Sequence, residues 1–162
     1  MKDYVITAVR KMDEKRLLTK ELEENMREID RREIEGMGFS TMQGAEVSIC
    51  DTAPVYVARS RNGKLICCWG LQILIGKENN PNTYLIWALG TDELKNHKKD
   101  FVKESKAILE RWMELYGCLE NTVATFNKRA IHWLKWLGAE FSEPYKIGNT
   151  EYMNFKLKRK ER

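Results

Sequence analysis

Apolar residues recur along the chain with two periods, and the switches between them outline the elements. Tyr4 to Arg10 alternates weakly and is β-branched, which predicts a first strand. From Asp13 the period becomes helical. Leu17, Leu18, Leu22 and Met26 form one stripe, and Ile29 and Ile34 fit a second helix that stops at Gly36-Met-Gly38. Thr41 to Asp51 is ambiguous and admits a small helix. Pro54 then precedes the strand Val-Tyr-Val-Ala. Asn62-Gly63 separates that strand from the apolar run ending at Leu74, and Asn-Gly between two such runs predicts a hairpin. After a loop at Gly76 to Asn82, Thr83 to Leu89 is apolar throughout. Such a run predicts a strand buried on both faces near the centre of a sheet.

Beyond Gly90-Thr-Asp92 the pattern predicts a long helix closed by Gly117. Phe101, Ser105, Ile108, Trp112 and Leu115 share its stripe, with Lys98, Lys99, Lys103 and Lys106 outside. Leu119 to Thr125 reads as a strand. Asn127 to Gly138 reads as a short helix with Ile131, Leu134 and Gly138 on one face. Phe141 to Tyr145 and Tyr152 to Leu157 flank Gly148-Asn149 as a closing hairpin. The predicted order is β-α-α-β-β-β-α-β-α-β-β, an α/β protein (α+β mixed sheet), with one domain over residues 1–157 and a basic tail over 158–162.

Asn127, Ala130, Ile131, Leu137 and Gly138 fall where the GNAT N-acyltransferase superfamily has its Asn-x-x-Ala-Ile…Leu-Gly pattern, and the whole element order resembles that fold. A narrower likeness covers roughly residues 84–157. Trp87-Ala-Leu-Gly-Thr-Asp92, Leu119-Glu-Asn121 and Asn127…Gly138 resemble the internal virion protein A family of T7-like podophages. That second resemblance implies virion morphogenesis and no established enzyme. The first implies acetyl-CoA, held at Leu89, Gly90, Thr91, Lys98, Lys99 and Asn127 if an acyl-CoA binds.

The residues test the enzyme reading. The superfamily takes the pyrophosphate on backbone N–H groups through a Gln/Arg-x-x-Gly-x-Gly/Ala loop, because a side chain there would hold the phosphates off. The matching positions here are His97, Asp100 and Val102, and no glycine occurs between Gly90 and Gly117. Asp92, Glu93 and Asp100 add negative charge, which Lys98 and Lys99 offset. The superfamily's tyrosine acid would stand at Leu134, which has no proton to give; Tyr145 and Tyr152 lie elsewhere. Glu46, Asp51, His97 and His132 are the remaining general-base candidates, with His132 predicted on the solvent side and His97 on an exposed turn. No catalytic residue is therefore assigned, and no Ser/His/Asp triad, Walker loop or zinc spacing is present.

Charge and cysteines narrow the classes further. The 162 residues carry 28 Lys and Arg against 24 Asp and Glu, a net +4 far from a nucleic-acid-binding extreme, and nucleic acid is not the expected partner. Four cysteines without metal spacing, two of them adjacent at 67 and 68, predict buried thiols in a reducing compartment and no metal. The polar N-terminus predicts no signal peptide, and no apolar run reaches the ~18 residues of a membrane span. The expected location is a host cytoplasm, with association to a virion as the phage likeness implies. Most of the five tryptophans are expected in the core. His132, Trp133 and Trp136 widen the apolar arc of one short helix enough to nominate it for a phage or host protein partner. Three readings stay open: a structural or interaction module, an active acetyl-CoA-dependent N-acyltransferase with a divergent loop, and a host-directed inhibitor using the basic tail.

Overall fold

The computed structural model describes residues 2–160. Its strands are β1 (Tyr4–Val9), β2 (Val55–Ser60), β3 (Leu65–Leu74), β4 (Thr83–Gly90), β5 (Cys118–Ala124), β6 (Glu140–Phe141), β7 (Tyr145–Ile147) and β8 (Thr150–Lys158). The helices are α1 (Met12–Asn25), α2 (Glu28–Gly36), α3 (Thr41–Cys50), α4 (Lys98–Tyr116) and α5 (Lys128–Trp136), with a 3₁₀ turn at Asp92–Asn96. The eight strands make one mixed sheet ordered β1-β2-β3-β4-β5-β8-β6, with β7 on β8. This is the α/β mixed-sheet class that the apolar pattern predicts. The segment left ambiguous is α3, fixed by a capping box in which Ser40 Oγ accepts from Gln43 N–H and Gln43 Oε1 from Ser40 N–H.

Contacts divide the chain into two compact units, residues 1–72 with 87–101, and 73–86 with 102–162. In the first, β1 and β2 pair antiparallel over their whole length, and β2 and β3 turn at Gly63 (φ +89°), as Asn62-Gly63 predicts. Leu18 and Leu22 of α1 and Met26 just past its end join Ala45 and Ile49 of α3 over Val55, Val57, Leu65 and Cys68, with Val9, Ile34, Trp87 and Leu89 packed against them. Helix α3 crosses α2 closely at Gly44, where a Cβ would stand 2.6 Å from Ile34 Cγ2. Two expectations fail here. Leu17 is 72% exposed, because a helix adjacent in sequence to Leu18 turns its neighbour about 100° off the stripe. The apolar strand β4 is central in the sheet as predicted, but its burial is incomplete: Trp87 and Leu89 meet the core on one face, while on the other Ile86 is buried and Ala88 is exposed.

In the second unit β5 pairs antiparallel with β8 from Cys118↔Lys158 to Ala124↔Tyr152, and parallel with β4 at Leu85↔Glu120. Buried there are Ile86, Leu109, Leu119, Val123, Ile131, Leu134, Tyr152, Phe155 and Leu157. The stripe of α4 drifts from the predicted one. Leu115 is 64% exposed, and Tyr116, stacked on Tyr84 at 4.6 Å between centroids, ends the inward face instead. The first arm of the closing hairpin is split into β6 and β7 around Pro144, which has no N–H to give the ladder. Part of the predicted tail is structured: Lys158 ends β8 and meets Glu140 at 3.1 Å, while Arg159 donates its N–H to Gly117 and Nη1 to the Glu114 carbonyl. Residues 161 and 162 of that tail lie outside the described residues.

Candidate functional site

Two places hold the residues that the sequence nominates, one in each unit. In the first, β4 ends at Gly90, and the α1–α2 junction is bonded onto that end. Arg27 donates its backbone N–H to the Gly90 carbonyl at 3.0 Å, and Met26 bridges Thr91. The Gly90 N–H donates to Asp30 Oδ2 at 2.8 Å. Asp30, only 5% exposed, is gripped by Arg27 through Nε to Oδ2 at 2.7 Å and Nη2 to Oδ1 at 3.2 Å. Burial tends to lower the Arg27 pKa, but Asp30 outweighs it and holds the guanidinium above its ordinary value. Gly90 has little room: a Cβ there would lie 3.2 Å from Leu94 Cδ2 and 3.4 Å from Arg27 Nε. Thr91 N–H goes to the Ile66 carbonyl, and Thr91 Oγ1 donates to the Leu65 carbonyl and accepts from Glu93 N–H.

The start of α4 follows. Lys98, Lys99 and Asp100 are exposed, and Phe101 sets its ring edge-on to Trp69 at 5.5 Å. His97, expected on an exposed turn, has a side chain only 10% exposed. It meets Glu93 at 3.5 Å and the Tyr4 ring at 5.9 Å. The Tyr4 hydroxyl is buried without a hydrogen-bond partner among the described residues, and burial together with Asp100 and Cys67 raises its pKa.

In the second unit Asn127 caps α5, its Oδ1 accepting from Ala130 N–H at 3.3 Å. Gly138 (φ +91°) ends the helix and donates its N–H to the Lys135 carbonyl, so the Asn-to-Gly frame is the one the sequence predicts. Leu134, in the tyrosine position, is 2% exposed and belongs to the core. Of the trio nominated for a partner, His132 and Trp136 are exposed and Trp133 is half-buried. Tyr145 Oη donates to Asn154 Oδ1 at 2.6 Å, Thr122 Oγ1 donates to the same oxygen at 3.0 Å, and Tyr152 is fully buried. Asn121 Nδ2 donates to the Ile86 carbonyl at 2.6 Å. Glu46 and Asp51 are exposed on α3 and at its end, apart in the chain from His97 before α4 and His132 on α5.

The cysteines behave as apolar core or half-buried thiols. Burial pushes the Cys68 thiol up to about 12 and Cys67 well above its ordinary value. All four are free, and among the described residues no group of three or more His, Cys, Asp or Glu is placed to hold a metal ion. No helix among those residues is long and apolar enough to cross a membrane.

Sequence reasoning missed Asp30 and Arg27. The Arg-x-x-Asp spacing was visible, but nothing local says that the pair turns inward onto a strand 60 residues away.

The fold is that of the GNAT N-acetyltransferases. Over 98% of its length the chain superposes on 94% of the aminoglycoside N(6')acetyltransferase from Legionella pneumophila, with a TM-score of 0.63 at 14% identity. It is similar also to the ribosomal-protein-S18-alanine N-acetyltransferase from Escherichia coli (TM-score 0.62, 12% identity, 98% and 96% covered). A third likeness is to the spermidine N-acetyltransferase from Vibrio cholerae, solved with CoA and spermine (TM-score 0.59, 10% identity, 97% and 96% covered). No protein-family model and no curated protein sequence matches the chain.

Proposed function

We propose that this protein uses an acyltransferase scaffold without acyltransferase chemistry, as an interaction module of a phage-type protein in virion structure or morphogenesis. One observation carries the loss of chemistry: the Gly90 N–H, at the strand end where the fold presents backbone donors, is bonded to the chain's own Asp30 carboxylate. An acyl-CoA competing for that donor must displace a buried, Arg-paired carboxylate, and uncovering such a pair costs several kcal/mol. The start of α4 supports the same reading. Every position from 97 to 102 carries a side chain, and Phe101 is committed to Trp69. A pyrophosphate there would meet side chains instead of a glycine cradle. The residues present do not fit the cofactor, and Leu134 supplies no acid in its buried position. The phage assignment rests on the sequence likeness at 84–157.

The competing reading, an N-acetyltransferase with a divergent loop, draws on Lys98 and Lys99, both exposed at the first turn of α4. The two separate by thermal shift. At about 100 times Kd a ligand adds ~2.7 kcal/mol to stability, several degrees for a chain of this size. Millimolar acetyl-CoA is expected to leave the midpoint unchanged, and a rise of several degrees overturns the non-catalytic reading.

A further inference from the structure

We propose that the outer face of α5 docks an acidic segment of a partner protein, with Trp136 as its apolar anchor; this rests on the interaction-module reading and gives the partner a chemistry. The exposed residues of α5 are Lys128, Arg129, His132, Lys135 and Trp136. No carboxylate lies within the helix, so its whole solvent face is basic or aromatic. The positions 128, 132, 135 and 129, 132, 136 run at i, i+3/i+4, i+7 spacing, which makes them one stripe. Lys106 of α4 adds another cation, its Nζ 4.9 Å from the Trp136 ring centroid.

Two features separate this surface from an ordinary solvated helix face. Lys128 and Arg129 occupy the first turn, where the helix dipole disfavours cations and where Asp or Glu is the stabilising choice. The placement works against the isolated fold, and an anion laid along the stripe relieves it. The second is Trp136, 54% exposed although Ile131 and Leu134 on the other side of the same helix are buried. A large aromatic left half in water on a helix pinned from beneath is what the anchor of an interface requires, and Trp and Arg dominate such anchors. The stripe is about 10 Å from Arg129 to Trp136, two turns of helix, which matches carboxylates two turns apart on an acidic helix.

The charge alone would also suit single-stranded nucleic acid. Such strands stack successive bases on several rings, whereas this face offers one, and Lys106 sits over it. The single ring favours a protein.

The test is an anisotropy titration of the full chain into a labelled peptide of Glu residues with Leu at helical spacing, beside a labelled oligo-dT. The peptide is expected to bind, more weakly as salt rises. Combining Lys128→Glu, Arg129→Glu and Lys135→Glu should reduce affinity tenfold or more, and Trp136→Ala roughly tenfold. Every substituted residue is exposed, so unchanged melting midpoints verify the fold; Lys135→Glu alone serves if the triple variant melts early. Absence of peptide binding, or binding indifferent to these substitutions, overturns the proposal. Tighter binding of oligo-dT that the same variants abolish also overturns it, in favour of a nucleic-acid site. Acetyl-CoA is titrated in parallel. A response to it with peptide binding intact overturns only the non-catalytic reading, and loss of peptide binding without such a response overturns only the docking.

Discussion

The end of β4 and the outer face of α5 come from the two segments that most resemble an acyltransferase, and they direct their polar groups in opposite ways. At β4 the donors and charges turn inward: Gly90 bonds Asp30, Arg27 bonds both, and Thr91 bonds β3. On α5 the frame is equally well capped, but every charge faces outward and Trp136 stays half in water. A scaffold conserves its caps and core because folding needs them. Its open donors and exposed rings report what it binds. The strand end nominated for a cofactor bonds its own carboxylate, and the helix nominated for a partner is the one that leaves its charges and a ring in water.

The contrast can be broken in several places. The largest effect is expected from Asp30→Ala, which strands the half-buried Arg27 guanidinium and the buried Gly90 N–H and should cost roughly 2–4 kcal/mol in urea unfolding. A loss below about 1 kcal/mol would mean that the β4 end is not held closed by this carboxylate. Leu134→Tyr puts a phenol where the acyltransferase resemblance expects one, at a core position. It should destabilise by about 1–3 kcal/mol through overpacking and yield no acetyl transfer, whereas measurable turnover would reopen the catalytic reading.

Alkaline titration probes the closed side. Cys68 stands at about 12 in the fold against an ordinary 9.0, so its stabilising contribution is complete below pH 9. It then declines as the unfolded thiol ionises first, until the pH passes the folded value. By pH 9.5 Cys68 should account for a loss of about 1 kcal/mol, which Cys68→Ala removes while Cys67, raised likewise, keeps its own. Native Cys67 and Cys68 should also resist alkylation at pH 8 while Cys50 and Cys118, both less buried, react. The smallest effect belongs to the open side. Trp136→Ala should change stability by only ~0.5–1 kcal/mol, the worth of its contact with Lys106. A loss several times larger would place Trp136 in the core and remove it from the binding face.

Much of the fold is legible in the sequence where signals are local. Asn127 and Gly138 cap α5, Asn62-Gly63 turns a hairpin, and Gly117 at φ +84° stops α4, each through the chemistry of one or two residues. Helix α3 had such a signal in Ser40 and Gln43, obscured by Gly44, Val47 and Ile49, which are weak helix formers. The drift of α4, where Tyr116 supplants Leu115, exceeds what a short periodicity count resolves. The site is less legible. That glycines are missing before α4 can be read directly, but the Asp30–Gly90 bond joins distant segments and depends on how α2 docks, which no spacing encodes. His97 fails for a similar reason, since its neighbours Tyr4 and Glu93 come from the first strand and the 3₁₀ turn.

The most direct test follows the Gly90 amide by two-dimensional NMR as acetyl-CoA is added to millimolar concentration. A closed strand end predicts that the Gly90 resonance and those of the first turn of α4 stay in place, with Gly90 strongly protected from hydrogen exchange. Movement of Gly90 together with Lys98 to Val102 on titration would show an acyl-CoA seated on the strand end, and would contradict the account.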